Sequence, residues 1–271
     1  MLVTVCTITF NRRPFIPNMI RCFQHQDYQG DMEWIILDDG TDSIEDLVAS
    51  IPHVRYVRLE TKHPIGKKRN MTHDMARGDI IVYMDDDDYY PPTRISHAVE
   101  TLGNSNALIA GSSVIHVYFD HIHKIMEFGP YGPNHATAGT FAMKRELFSL
   151  SSYDESASMA EEKHFLKNYT IPMVQLDPKK TILVVSHLHN TFDKKKLLIH
   201  ASRLVRETDL LLSHFIQEPA SLHFFKTVNL ILSVLTNEMH DTIVAQHRRL
   251  CDLESEVQSK KDVIAILINL T

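Results

Sequence analysis

Cysteine is scarce in this chain, and long apolar runs are missing. Cys6, Cys22 and Cys251 are an odd number, widely spaced and without a CxxC pair, which argues against a zinc ribbon or a disulfide framework and favours a reducing compartment. No stretch approaches the roughly 18 apolar residues that a membrane-spanning helix needs. Met1 to Phe10 is apolar but runs straight into Asn11, Arg12 and Arg13, with no charged leader and no small-residue cleavage site, so it reads as a strand. Gly66-Lys67-Lys68 lacks the spacing of a Walker A phosphate loop, and no Gly or Glu follows the acidic run where a calcium loop requires them. A broadly basic face is also lacking. The formal charge is -6, with basic clusters only at Lys67 to Arg69 and Lys194 to Lys196, so nucleic acid is not expected as a partner. The expectation is a soluble cytoplasmic protein, in the host cytoplasm if the source is a virus, with peripheral membrane docking left open.

With 271 residues and 44% hydrophobic content, the chain can bury a large core. Strand-like and helix-like patterns alternate through the first half, the sign of a parallel sheet with crossover helices. Strands are predicted at 2–9, 33–37, 54–58 and 79–84, with helices at 14–26 and 66–77 between them. From Ala107 to Phe128 longer alternating runs predict strands paired antiparallel at the sheet edge. Apolar runs at Met173 to Leu176 and Ile182 to Ser186 complete the domain. After Phe192 the pattern becomes helical, with almost no Gly or Pro, which places a boundary near 195 and divides the chain into 1–195 and 196–271. Ile243, Leu250 and Val257 recur every seven residues with Leu253 between them. Two readings stand for this partial heptad: a homodimer seam, or a helix folded back on its own domain.

Asp85, Asp86, Asp87 and Asp88 follow the apolar strand Ile80 to Met84 directly. Adjacent carboxylates repel one another and are normally solvated or bound to a cation. Carboxylates fixed at a strand end, in the crevice where open α/β sheets bind ligands, are placed for chemistry. Hard oxygen ligands suit Mn2+ or Mg2+, ions that commonly carry a diphosphate and offset its charge as it leaves.

Several motifs, in order, resemble the family 2 glycosyltransferases. VTVCTITFN (Val3 to Asn11), Asp38-Asp39-Gly40, Arg69-Asn70, Ala76-x-Gly78-Asp79 and YMDDDD look like that family's opening strand and its DDGS, ARN, AxGE and LDxDD series, over roughly residues 1 to 192. The resemblance implies a GT-A (nucleotide-diphospho-sugar transferase) fold of α/β class. That fold has a mostly parallel central sheet flanked by helices, here with an α-helical C-terminal extension. It further implies that Thr7, Thr9 and Phe10 border the nucleotide base and that Asp39 accepts a hydrogen bond from it, with Asp38 able to fill the turn. Lys67 and Arg69 would contact the diphosphate, although Gly66 lies three residues before Arg69 where the family's Gly lies five before. Asp87 is the expected metal ligand, Asp86 contacts ribose or metal, and Asp85 braces the loop.

The segment Glu161-Glu162-Lys163-His164-Phe165 resembles the family's acidic acceptor-side motif, with Glu162 in the place of the general base; Glu161 suits a helix start. His187 in VSHLHN resembles the fold's closing segment, from which a histidine reaches the metal; His189, two residues on, is the alternative. Gly139 to Met143 would lie beside the donor sugar. Together these imply a metal-dependent enzyme that moves a sugar from a nucleoside-diphosphate sugar, UDP-sugar favoured, to a hydroxyl of a glycan or other acceptor, with inversion. The alternatives are a sugar-binding protein without turnover and a metal-dependent nucleotidyltransferase.

Overall fold

A computed structural model describes residues 1–199 and 203–237, together with residues 239, 242, 246, 249 and 253. Compact packing divides the chain into Met1–Lys226 and Thr227–Thr271. Of the heptad positions, Ile243, Leu250 and Val257 lie outside the described residues.

The first unit is built on β1 (Val3–Thr9), β2 (Met32–Asp38), β3 (Val54–Arg58) and β4 (Ile80–Tyr83). These strands run parallel in the order β3-β2-β1-β4. β1 and β4 are buried almost throughout, as strands covered on both faces must be, and their β-branched residues suit that setting. Two helices connect them: α1 (Ile16–Gln24), with Pro17 in its first turn, and α3 (Ile65–Met75), with the short α2 (Glu45–Val48) before it in the chain. Met19, Cys22 and Phe23 of α1 are buried, and the Phe23 ring stacks on Trp34 at 4.4 Å. After β3 the chain returns to the other side of β1, so the topological switch point lies between β1 and β4.

Past α4 (Arg94–Gly103) the sheet continues with β5 (Ile109–Gly111), β8 (Ala142–Lys144) and β9 (Met173–Gln175) in the order β4-β8-β5-β9. The antiparallel pairing expected for 107–128 is present, but in a second sheet. β6 (Ile115–Phe119) and β7 (Lys124–Phe128) form a hairpin there, joined by β10 (Leu183–Ser186) and β11 (Val205–Glu207) in the order β10-β6-β7-β11. β11 adds a strand to the helical pattern expected after Phe192. It pairs antiparallel with β7, giving that edge a partner for its backbone groups, and lies inside the first unit.

Candidate active site

Three loops meet beyond the switch point: the one after β1, the acidic run after β4, and the one after β10. Tyr83 ends β4, because four carboxylates cannot continue a strand buried on both faces. Two devices then fold the acidic loop onto β10. Tyr89 exchanges backbone hydrogen bonds with Leu183 at 3.0 and 2.9 Å, and Asp88 Oδ1 accepts from the Val185 amide at 2.9 Å. Asp88 is therefore a strut, and it delivers the segment after β10 to its neighbour: His187 Nε2 lies 3.0 Å from Asp87 Oδ2.

The His189 amide donates to His187 Nδ1 at 3.1 Å, and Nε2 faces both Asp87 Oδ2 at 3.0 Å and Asn190 Nδ2 at 2.7 Å. Asn190 Nδ2 lies 3.4 Å from the same carboxylate oxygen, and the Phe15 ring covers the imidazole at 4.5 Å. From the β1 side Arg12 reaches in, with Nε 3.8 Å from Asp86 and an amino group 3.5 Å from Asp87, while also donating to the His189 carbonyl. Burial works against ionisation of Asp87, but the His187 hydrogen bond, Lys194 and Arg12 outweigh it and hold the carboxyl below its usual range. Asp86 goes the other way: burial, then the charge of Asp87, push it up to about 8. Neighbouring carboxylates are thus split into one that is charged and one that resists charge.

Asp85 faces the opposite side. It accepts from Arg69 at 3.0 Å, and its amide donates to the Tyr90 hydroxyl at 2.8 Å. Arg69 is 2% exposed, lies over the Tyr83 ring at 4.1 Å, and is 3.9 Å from Glu161. Its Nε and one amino nitrogen are buried without a hydrogen-bond partner. Lys67 lies half-buried two residues earlier in α3. Glu162 opens α5 (Glu162–Phe165); burial, ahead of the charge of Glu161, raises its carboxyl. Gly66 makes this approach possible, because a Cβ there would meet the Asp154 carbonyl oxygen at 2.0 Å. A Cβ on Gly139 would meet Asp85 Oδ2 at 2.7 Å, so the small-residue turn does lie against the acidic run.

At two of the expected nucleotide-side positions the polar atoms are engaged within the fold. Thr7 is fully buried, its hydroxyl donating to the Met84 carbonyl at 2.7 Å and accepting from Trp34 Nε1 at 2.9 Å, so it presents no surface to a base. The Asp39 side chain is closed off as well. Lys68 Nζ holds Oδ1 and the His63 amide holds Oδ2, each at 2.8 Å, so Lys68 is a buried ion-pair partner. Phe10 keeps a half-buried ring, with Lys62 Nζ 4.0 Å from its centre. Thr9 Oγ1 is buried without a partner.

The sequence reading missed Arg12, Asn190 and Arg94. Arg12 stands directly after the Asn of the opening motif and Asn190 closes VSHLHN, so position in the motifs was the available signal. Arg94 carried none: it is buried and donates to the Tyr83 and Phe141 carbonyls at 3.2 and 2.7 Å, fastening β4 to the turn before β8.

A mixed sheet whose switch point gathers carboxylates, a guanidinium and an imidazole defines a nucleotide-sugar transferase architecture. The sequence model for Glycosyl transferase family 2 matches residues 4–150, and the chain belongs to that family. Its sequence is 30% identical over 100 residues to the putative colanic acid biosynthesis glycosyl transferase WcaA of Escherichia coli (strain K12), covering 35% of this chain and 36% of WcaA. The fold is similar to that of S. aureus TarS 1-349 (TM-score 0.55, 20% identity, 69% of this chain and 61% of that one). It is also similar to TarS 1-349 in complex with UDP-GlcNAc (TM-score 0.56, 18% identity, 74% and 62%). The mannosyltransferase PcManGT from Pyrobaculum calidifontis, in complex with GDP-Man and Mn2+, shares it too (TM-score 0.55, 16% identity, 69% and 58%). These likenesses establish the GT-A fold; the chain spans about a third of the curated relative and under two thirds of the structural ones.

Among the described residues, no three His, Cys, Asp or Glu side chains are grouped to hold a metal ion. The donor types nevertheless suit one. Asp86 and Asp87 offer hard oxygens now balanced by Arg12. His187 joins only if its ring releases the His189 amide, because a metal on Nε2 leaves the ring proton on Nδ1, where that amide now donates.

Proposed function

We propose that the chain transfers a sugar from a nucleoside-diphosphate sugar, UDP-sugar favoured, to a hydroxyl of a glycan or other acceptor, with inversion at the anomeric carbon. The observation that supports this best is the contact of His187 with Asp87 across 100 residues of sequence, at the switch point of the sheet.

Phe10 and Thr9 border the base, and Asp39 forms the floor beneath it. Arg69, with two buried N–H groups still to be satisfied, and Lys67 take the diphosphate. A divalent ion, Mn2+ or Mg2+, belongs with Asp87, Asp86 and His187; when bound, it offsets the charge gathering on the departing diphosphate. Glu162 accepts the proton of the acceptor hydroxyl as that oxygen bonds to the anomeric carbon and the bond to the diphosphate breaks, its electron pair leaving with the phosphate oxygen. A carboxyl raised by burial is a better-matched base near neutral pH than a free one.

Among the described residues no helix is long and apolar enough to cross a membrane, and the reading places the enzyme in the cytoplasm. Assembly as a homodimer through 196–271 is part of the same reading, checked by sedimentation of the full chain.

A thermal-shift screen of nucleoside diphosphates with and without Mn2+ tests the central assignment. A UDP shift that requires the metal supports it; equal, metal-independent shifts with every nucleotide overturn it. Release of UDP from a UDP-sugar, as opposed to pyrophosphate from a nucleoside triphosphate, separates sugar transfer from nucleotidyl transfer.

A further inference from the structure

Residues 167–169 contribute to the lining of two hollows. The larger, about 840 Å3, includes Glu161, Lys167 and Asn168 in its wall. The smaller, about 200 Å3, is lined by Tyr131, Gly132, Pro133, Asn134, His135 and Tyr169. Nothing in the donor-side assignment uses the smaller one.

Its rings form a continuous run. Tyr131 and His135 have centroids 4.8 Å apart, and His135 stacks on Tyr169 at 4.6 Å. Tyr131 is 43% exposed, and His135 Nδ1 is buried with no hydrogen-bond partner. An unpaired buried nitrogen beside open aromatic surface is a group left for a ligand to satisfy. The framework around the rings is braced. Ser113 Oγ accepts from the Tyr131 and Gly132 amides at 2.7 and 3.0 Å, and Gln175 Nε2 donates to the Pro133 carbonyl at 2.7 Å. Lys167, Asn168 and Tyr169, of which Tyr169 lines this hollow, hold φ angles of 49°, 56° and 62°. Side chains with a Cβ avoid that left-handed region, and such strain collects at ligand clamps.

Aromatic faces with an amide and backbone polar groups at the rim match the chemistry of a pyranose, whose C–H face stacks on a ring while its hydroxyls hydrogen-bond at the edge. The loop that lines the hollow also reaches the acidic run. Burial, and then the charge of Glu162, raise the Tyr169 phenol, and the loop that carries His135 continues to Gly139 against Asp85.

We propose that the Tyr131–His135–Tyr169 hollow is an acceptor subsite that stacks a pyranose ring of an oligosaccharide. Its place in the reaction rests on the sugar-transfer reading; binding of the sugar does not.

The test uses the full chain labelled with fluorotyrosine, its nine tyrosines assigned by single replacement, and titrated with cellotetraose, chitotriose, mannotriose and maltotriose, with sorbitol as the ringless control. At least one oligosaccharide is expected to shift the Tyr131 and Tyr169 signals at millimolar concentration, with sorbitol silent. Tyr131→Ala should weaken that binding about tenfold and Tyr131→Phe should retain it. Tyr131 is exposed, so a circular-dichroism melt should be unchanged in both variants. The proposal is overturned if no oligosaccharide binds, if only other tyrosines respond, or if Tyr131→Ala binds as tightly as the parent. Sugar binding without any UDP shift would sink the transfer reading and leave the hollow standing as a carbohydrate site.

Discussion

At the scale of single residues, identical side chains have acquired different work. Asp88 is spent on a backbone amide of β10, Asp85 on Arg69, and only Asp86 and Asp87 face Arg12 and His187. Asp87→Ala is expected to abolish sugar transfer, and Glu162→Gln to lower kcat by roughly 10²–10⁴-fold with donor affinity kept; steady-state kinetics with separate nucleotide binding checks both. If Glu162→Gln transfers like the parent, Glu162 is not the base. His73 provides a pH probe away from the carboxylates. Burial, with help from the charge of Arg69, pushes its imidazole down to about 3, while in the unfolded chain it titrates near ~6.5. Between those values only the unfolded state takes up the proton, so this contribution to stability rises with pH across the window and is lost as pH falls through it. Its slope is at most about 1.4 kcal/mol per pH unit. Denaturant midpoints from pH 3 to 7 should show this slope, flattened in His73→Phe, whose ring can keep the stack on Phe148.

At the scale of elements, the helix α3 is fastened to the sheet by charge. Lys68 on α3 and Asp39 after β2 form a buried pair 2.8 Å apart, with side-chain exposures of 8% and 0%. Lys68→Met strands a buried carboxylate and is expected to destabilise the fold by about 3–5 kcal/mol, whereas adding Asp39→Asn should recover much of that loss; urea unfolding of the single and double variants reads it. Gly66→Ala should separate the start of α3 from the 154–157 turn, because its new Cβ cannot stay 2.0 Å from the Asp154 oxygen. Much at this scale was legible. The strands at 3–9, 32–38, 54–58 and 80–83 and the helices α1 and α3 lie within a residue or two of the expected spans, because β-branched runs and 3.6-residue spacing are local signals. The sheet to which β6, β7 and β10 belong was not legible, since an alternating pattern shows that a face is buried without showing against what.

At the scale of the whole molecule, the second sheet decides the site. β10 carries His187 to the acidic loop, and β6, β7 and β11 support β10 from one side. A chain cut after residue 195 loses β11 and the buried side chains Leu212, Phe215, Ile216 and Phe225. It is expected to melt well below the full chain and to aggregate through the uncovered edge of β7. A cut after 226 keeps the first unit entire, β11 included, and should melt above the shorter chain; differential scanning calorimetry of the two truncations distinguishes them.

The sequence by itself determined the class of fold, the alternation of strands and helices, and the acidic run as the centre of the candidate site, because strand periodicity and motif order are properties of neighbours along the chain. Only the tertiary structure decided how the four aspartates divide. Their roles depend on which cation or amide lies across from each one: Arg69 from α3, Arg12 from the loop after β1, and the Val185 amide and His187 from β10 and the loop after it. Those partners are distant in sequence and become neighbours only when the switch point and the second sheet have formed. For the same reason, Thr7 and Asp39, placed beside the base by motif, turned out to have their polar atoms engaged inside the fold.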